Sequence, residues 1–232
     1  MITVRKSEDR GHANHGWLDS YHTFSFASYH DQNWMGFRDL RVINQDKVIA
    51  SEGFDTHGHQ DMEIVTYVFE GALEHKDSMG TGSVLRRGDV QRMSAGTGVT
   101  HSEFNHSKDE QLQLLQIWIL PAKEGIKPAY EEKNFKDEAK KNTLKVIVSP
   151  EGKDSSLKIN QDVSIYASLL DEGKSLTHPI QKGRGAWVQV VKGTIDLNGK
   201  VLNSGDGAAI EDEKELRFLA KKNSEVLLFD LN

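Results

Sequence analysis

The chain has no cysteine among its 232 residues. Disulfides, thiolate metal sites and a cysteine nucleophile are therefore excluded, and any metal must be held by histidine and carboxylate. Proline is scarce at 4 residues against 20 glycines, and with 37% apolar and 28% charged residues the collagen-like and disordered classes drop out. No stretch of about 18 apolar residues occurs, and Met1-Ile2-Thr3-Val4-Arg5-Lys6 leads into polar sequence rather than a signal-peptide core. A cytoplasmic protein with no membrane partner is expected. Lys and Arg total 29 against 35 Asp and Glu, a net charge of −6, and no basic cluster alternates with aromatics. Direct nucleic-acid binding is not expected.

Histidine and acid are present in a telling pattern, as His57-Gly58-His59 and His101-Ser102-Glu103. Each pair is spaced i, i+2, so on a β-strand both members point the same way. Two such strands facing one another would bring three imidazoles and a carboxylate to one point, a site for one divalent first-row ion. An unbroken strand beyond His59 would give Glu63 the same facing, which makes it the candidate for orienting a ligand imidazole through its far nitrogen. His12 and His15 sit in a Gly-flanked stretch and read as loop histidines, while His75 has no partner at ligand spacing and reads as structural. The glycines of Ser94-Ala95-Gly96-Thr97-Gly98 do not lead from a strand into a helix, so they read as turn glycines rather than a phosphate cradle.

Around these stretches the period is that of strands. Tyr21 to Phe26 alternates, with His22, Phe24 and Phe26 on one face. Residues 40–44, 47–50 and 64–69 are β-rich between turn residues, and residues 111–120 are apolar on both faces, as a fully buried strand is. Residues 122–142 turn to Lys and Glu, with one helix-compatible piece at 134–141, and strand patterns resume at 144–148, 163–167, 186–191 and 225–229. Val68-Phe69-Glu70-Gly71-Ala72-Leu73-Glu74 lines up with Val190-Val191-Lys192-Gly193-Thr194-Ile195-Asp196, and Arg87-Gly88-Asp89 with Ser204-Gly205-Asp206. The pattern predicts an all-β protein of two similar halves: a metal-binding barrel at 1–121, a charged crossover at 122–142, and a barrel without metal ligands at 143–232.

The His-x-His, the Glu four residues after it, and a Gly-rich turn leading to His101 and Asn105 resemble the cupin superfamily. Gly16-Trp17-Leu18-Asp19-Ser20, Met35-Gly36-Phe37, Tyr67-Val68-Phe69-Glu70-Gly71, Ser94-Ala95-Gly96-Thr97-Gly98 and His101-Ser102-Glu103, in that order, are similar to the pirin family within it. The resemblance implies a bicupin of two packed double-stranded β-helix (jelly-roll) barrels with one metal in the N-terminal barrel. Its ligand positions fall on His57, His59, His101 and Glu103. The metal it implies is iron, and manganese, nickel, copper, cobalt or zinc would suit the same donors. It further implies quercetin 2,3-dioxygenase activity, with a flavonol and O2 as the small-molecule partners. In that reading Glu103 takes the proton of the flavonol 3-hydroxyl, and Phe24, Phe26 and Trp118 stand near the pocket. Two alternatives accompany it: a non-catalytic, metal-dependent regulatory pirin, and a zinc hydrolase with Glu63 as the base for water.

Overall fold

Short alternating runs punctuated by glycine turns build a structure of strands; the computed structural model describes residues 1–232. The first twelve strands are β1 (Ile2–Arg5), β2 (Gly11–Asn14), β3 (Leu18–His22), β4 (Leu40–Val48), β5 (Gly53–His59), β6 (Glu63–Glu70), β7 (Ala72–Asp77), β8 (Gly82–Arg86), β9 (Asp89–Ser94), β10 (Val99–Asn105), β11 (Leu112–Ile119) and β12 (Ala129–Asn134). After the helical turn α1 (Asp137–Lys140) come β13 (Lys145–Ser149), β14 (Leu157–Lys158), β15 (Val163–Leu170), β16 (Ser175–Pro179), β17 (Gly185–Lys192), β18 (Thr194–Leu197), β19 (Lys200–Asn203), β20 (Gly207–Ile210), β21 (Glu215–Ala220) and β22 (Ser224–Leu231). No helix is long and apolar enough to cross a membrane.

The chain divides into two compact units. The first comprises Gly11–Asn134 and Leu157–Gln161, and it holds two sheets, ordered β12-β9-β6-β11-β4-β3-β2 and β5-β10-β7-β8. Their inner faces meet in a core to which Leu18, Val48, Val68 and Leu112 contribute from one sheet and Leu73 and Leu85 from the other. Each such side chain, fully buried, stabilises the fold by roughly 1.5–3 kcal/mol. The order β5-β10-β7 is the feature that matters for function. It is not sequential, so it sets residues 53–59 beside residues 99–105, and these in turn beside residues 72–77.

The second unit comprises Met1–Arg10, Phe135–Ser156 and Asp162–Asn232. Within it β1-β20-β17-β22-β15-β13 lie in one sheet and β16-β21-β18-β19 in another. The repeat read from the sequence is the same strand order used twice, β9-β6-β11-β4 in the first unit and β20-β17-β22-β15 in the second. Gly71 (φ +79) and Gly193 (φ +90) turn the equivalent hairpins. A Cβ on them would lie 2.6 Å from the Gln111 carbonyl oxygen and 2.3 Å from that of Asn223, so conformation and space both ask for glycine.

Contacts divide the chain differently from the boundaries 1–121, 122–142 and 143–232. Ile2 and Val4 pack on the second core while β1 pairs with β20, which ties the first ten residues to the C-terminal half. The charged stretch at 122–142 holds a strand, β12, paired along its length with β9 of the first unit. Its helical piece is α1 alone, because Asn134 still belongs to β12.

Candidate metal centre

β5 and β10 run antiparallel with His57 opposite His101 and His59 opposite Val99. Past His101 the register shifts, so that Glu103 faces Phe54 and the two strands bend around a β-bulge. The ring centroids of His57, His59 and His101 stand 4.8, 4.5 and 4.9 Å apart. One nitrogen of each falls within 4.8 Å of the others. His57 Nδ1 lies 2.8 Å from the Asp55 carbonyl oxygen, to which it can only donate, so the neutral ring carries its lone pair on Nε2. His59 Nε2 and His101 Nε2 are 3.0 Å apart, and the buried Nδ1 of His101 has no hydrogen-bond partner. Either one Nε2 gives its proton to the other, or both lone pairs turn to a cation.

Burial, and then the neighbouring imidazoles, lower the pKa of His59 to about 4 and that of His101 to about 3. Both rings are therefore neutral at pH 7, the form that ligates. Three imidazoles with a carboxylate at hand fit a divalent first-row ion, and His57, His59 and His101 are the residues that could hold it.

Glu103 stands slightly apart from this trio. It groups with His101 and His75 instead, again within 4.8 Å, and its Oε1 is 4.0 Å from His75 Nδ1. Its carboxylate rests on a polar row that crosses the larger sheet. Gln91, Thr66, Gln116, Asn44 and His22 are register partners in turn across β9, β6, β11, β4 and β3. Gln91 Nε2 and Gln116 Nε2 donate to the two Glu103 oxygens at 2.5 and 2.8 Å, and Thr66 Oγ1 links the amides by accepting from Gln91 and donating to Gln116, both at 2.9 Å. Burial pushes the Glu103 pKa up to about 7, with the amide donors of Gln91 and Gln116 pulling the other way.

His75, read from the sequence as structural, is buried beside Glu103. It sits opposite Glu103 on β7, stacks on Tyr130 with ring centroids 4.8 Å apart, and its Nε2 is 3.1 Å from Asp77 Oδ2. Burial opposes charge on Asp77, yet hydrogen bonds from His75 and from the Thr81 and Met79 N–H groups outweigh it and leave its carboxyl below the usual range. Sequence reasoning missed the His75–Glu103 neighbourhood because only strand order creates it. The polar row did leave a signal: Gln116 and Thr66 interrupt otherwise apolar inward positions on β11 and β6.

Glu63 does not orient a ligand histidine. β5 ends at His59 and β6 begins at Glu63, with Asp61 (φ +47) breaking the alternation between them. The buried Glu63 carboxylate instead accepts from Ser94 Oγ at 3.0 Å and from the backbone and side chain of Asn160 at 3.3 Å. His12 lies on a strand rather than in a loop, stacked on Tyr21 at 4.5 Å and 2.6 Å from Asp19 Oδ1, whereas His15 lies in the turn between β2 and β3.

A cavity of about 420 Å³ opens over His57, His59 and Glu103, and Phe26 and Trp118 form part of its wall. Phe26 meets Trp118 edge-on at 5.4 Å, and Trp118 meets His59 edge-on at 5.0 Å. Phe24, expected beside them, is buried outside the lining near Trp34, because β3 stops at His22 and the alternation ends there.

Comparison with known proteins decides the family. The Pirin family model matches residues 3–119, and a model described as the quercetinase C-terminal cupin domain matches residues 146–231. The chain belongs to the pirin family. Its pirin relatives match it from end to end. It is 52% identical to an Escherichia coli (strain K12) protein named quercetin 2,3-dioxygenase, covering 100% of this chain and 99% of that one. A pirin-like protein of Caulobacter vibrioides is 37% identical, with 99% of each chain covered. Among solved structures, the bacterial pirin YhhW from Escherichia coli in complex with nickel(II) superposes with a TM-score of 0.95 at 50% identity, covering 100% of this chain and 99% of that one. The all-β bicupin architecture expected from the sequence is thus the architecture of this pirin.

Proposed function

We propose that this protein is a metal-dependent dioxygenase that cleaves the heterocyclic ring of flavonols such as quercetin with O2 and releases carbon monoxide. The observation that carries the reading is a cluster of three imidazoles, two of which line an aromatic-walled cavity of about 420 Å³ together with the buried Glu103 carboxyl. The curated relative at 52% identity bears the name of that activity. Small-molecule sites have this size and this mixture of apolar wall and few polar groups.

His57, His59 and His101 would hold one divalent ion, with Glu103 completing the set; iron is our assignment, and the nickel(II) held by the relative has compatible ligand preferences. When bound, the ion supplies Lewis acidity toward the flavonol oxygen and a centre through which ring and dioxygen exchange electrons. The remaining work falls to the chain. Trp118 and Phe26 give a planar ring system an apolar slot, and His57 and His59 share its lining. Glu103, with a pKa of about 7, is suited to accept the 3-hydroxyl proton near neutral pH. Gln91 and Gln116 keep its carboxylate in place and stabilise its charged form. Removing that proton makes the ring electron-rich enough for dioxygen to attack at C2.

The test is anaerobic loading with one divalent ion at a time, then quercetin, then air, following the flavonol absorption band and carbon monoxide together. Band loss with carbon monoxide release, abolished in His57→Ala or His101→Ala, is the expected result. Stable metal binding without turnover for every ion would overturn it in favour of a metal-dependent regulatory protein.

A further inference from the structure

The cavity has a second polar wall that the metal chemistry does not use. Leu18, Ser20 and His22 of β3 and Asn44 and Asp46 of β4 point into it, because alternate residues of each strand share a face. Two register pairs are also hydrogen-bonded pairs: His22 Nδ1 is 2.9 Å from Asn44 Oδ1, and Ser20 Oγ donates to Asp46 Oδ1. Asp46 is 3% exposed, and Ser20 is the hydrogen-bond donor its carboxyl finds within the protein, at Oδ1. Asp46 lines the cavity, so its second oxygen is left to whatever occupies that space. A ligand that enters the cavity and displaces water from that oxygen must replace the hydrogen bond or leave the carboxyl unpaired.

We infer that Asp46 is a specificity-determining residue, whose second oxygen accepts a hydrogen bond from a further hydroxyl of the bound aromatic ligand, other than the one that meets the His57, His59 and Glu103 cluster. The inference rests on the proposed reading of this cavity as the flavonol site. It narrows the ligand class to planar aromatics that carry a second hydroxyl. One hydroxyl serves the His57, His59 and Glu103 cluster, and another serves Asp46. Sites built to pair a ligand hydroxyl discriminate strongly against analogues that cannot donate, because the protein group is then left unpaired.

Binding to metal-free protein tests this directly, read by quenching of tryptophan fluorescence since Trp118 lines the cavity. The probes are 3-hydroxyflavones with a single further hydroxyl at each ring position in turn, each compared with its own methyl ether, which accepts but cannot donate. For at least one position the hydroxyl compound is expected to bind about tenfold tighter than the ether, which corresponds to about 1.4 kcal/mol. In Asp46→Asn, where the Ser20 hydrogen bond is retained and an amide N–H can face the cavity, the ratio should fall to about one or invert. A hydroxyl preference surviving in Asp46→Asn would overturn the role. So would the absence of any preference in the wild-type protein, a result that needs no variant to fold. Turnover of the same compounds after metal loading separates the two ideas. Preference without turnover removes the dioxygenase and keeps Asp46 as the hydroxyl acceptor; turnover without preference does the reverse.

Discussion

Glu103 is a 2% exposed carboxyl gripped by two amides, proposed both to complete the metal set and to take the substrate proton. Glu103→Gln should leave the three imidazoles able to hold metal and lower kcat by roughly 10²–10⁴, the usual contribution of a positioned base. Steady-state turnover normalised to measured metal content checks this, and full turnover would remove the base role. The titrating groups also set a pH profile for the metal-free protein. His59 and His101 drop from 6.5 to about 4 and about 3, so the unfolded chain holds their protons longer and stability rises with pH across that window. Asp46 and Glu103 rise from 3.8 and 4.5 to about 7, so the folded chain holds their protons longer and stability falls across that window. The two effects oppose one another between about 4.5 and 6.5, and below that the effect of the histidines dominates. Asp46→Asn deletes one destabilising carboxylate, so the melting temperature of the variant relative to wild type should climb as pH goes from 4 to 7. A flat difference in thermal melts across that range would contradict the raised Asp46 pKa.

At the scale of elements, the site is a product of strand β10 having neighbours on both sides. β5 brings His57 and His59, β7 brings His75, and the bulge past His101 re-aims Glu103 toward the polar row. Gly53 sits at the seam of this arrangement, where a Cβ would lie 2.3 Å from the Glu103 carbonyl oxygen and 2.4 Å from Phe104 Cα. Both obstacles are backbone, so Gly53→Ala must push β5 away from β10. A loss of about 1–3 kcal/mol of stability is expected, as for other overpacked sites, together with a drop in metal affinity of tenfold or more. Thermal unfolding and metal titration measure the two, and unchanged metal affinity would show that the β5–β10 seam does not position the ligands. The i, i+2 pairs were legible in the sequence because strand periodicity is local. The role of Glu63 was misjudged because Asp61, with φ +47, breaks that periodicity where the residue pattern gives no sign of it.

At the scale of the whole chain, each unit has a hydrophobic core of its own. Metal bound only by the folded first unit stabilises it by about 2.7 kcal/mol at a hundredfold excess over Kd. Chelation should therefore lower the unfolding of the unit built on Gly11–Asn134 and leave the other in place. Deleting Met1–Lys6 should do the converse, since β1 covers the edge strand β20 and places Ile2 and Val4 on the second core. Differential scanning calorimetry with and without chelator distinguishes the two, and a deletion that lowered only the first unit's transition would contradict the assignment of the first ten residues.

Strand periodicity, turn glycines and the two His/Glu pairs determined much of this protein before any coordinates: the all-β class, the internal repeat and the identities of the candidate ligands. These are local properties, fixed by residue type and spacing within a few positions. The tertiary structure alone decided what lies beside what. That His75 backs Glu103, that Gln91, Thr66 and Gln116 carry its carboxylate, and that Asp46 faces the same cavity all follow from strand order and register. Those pairings join residues tens of positions apart, so no local pattern encodes them.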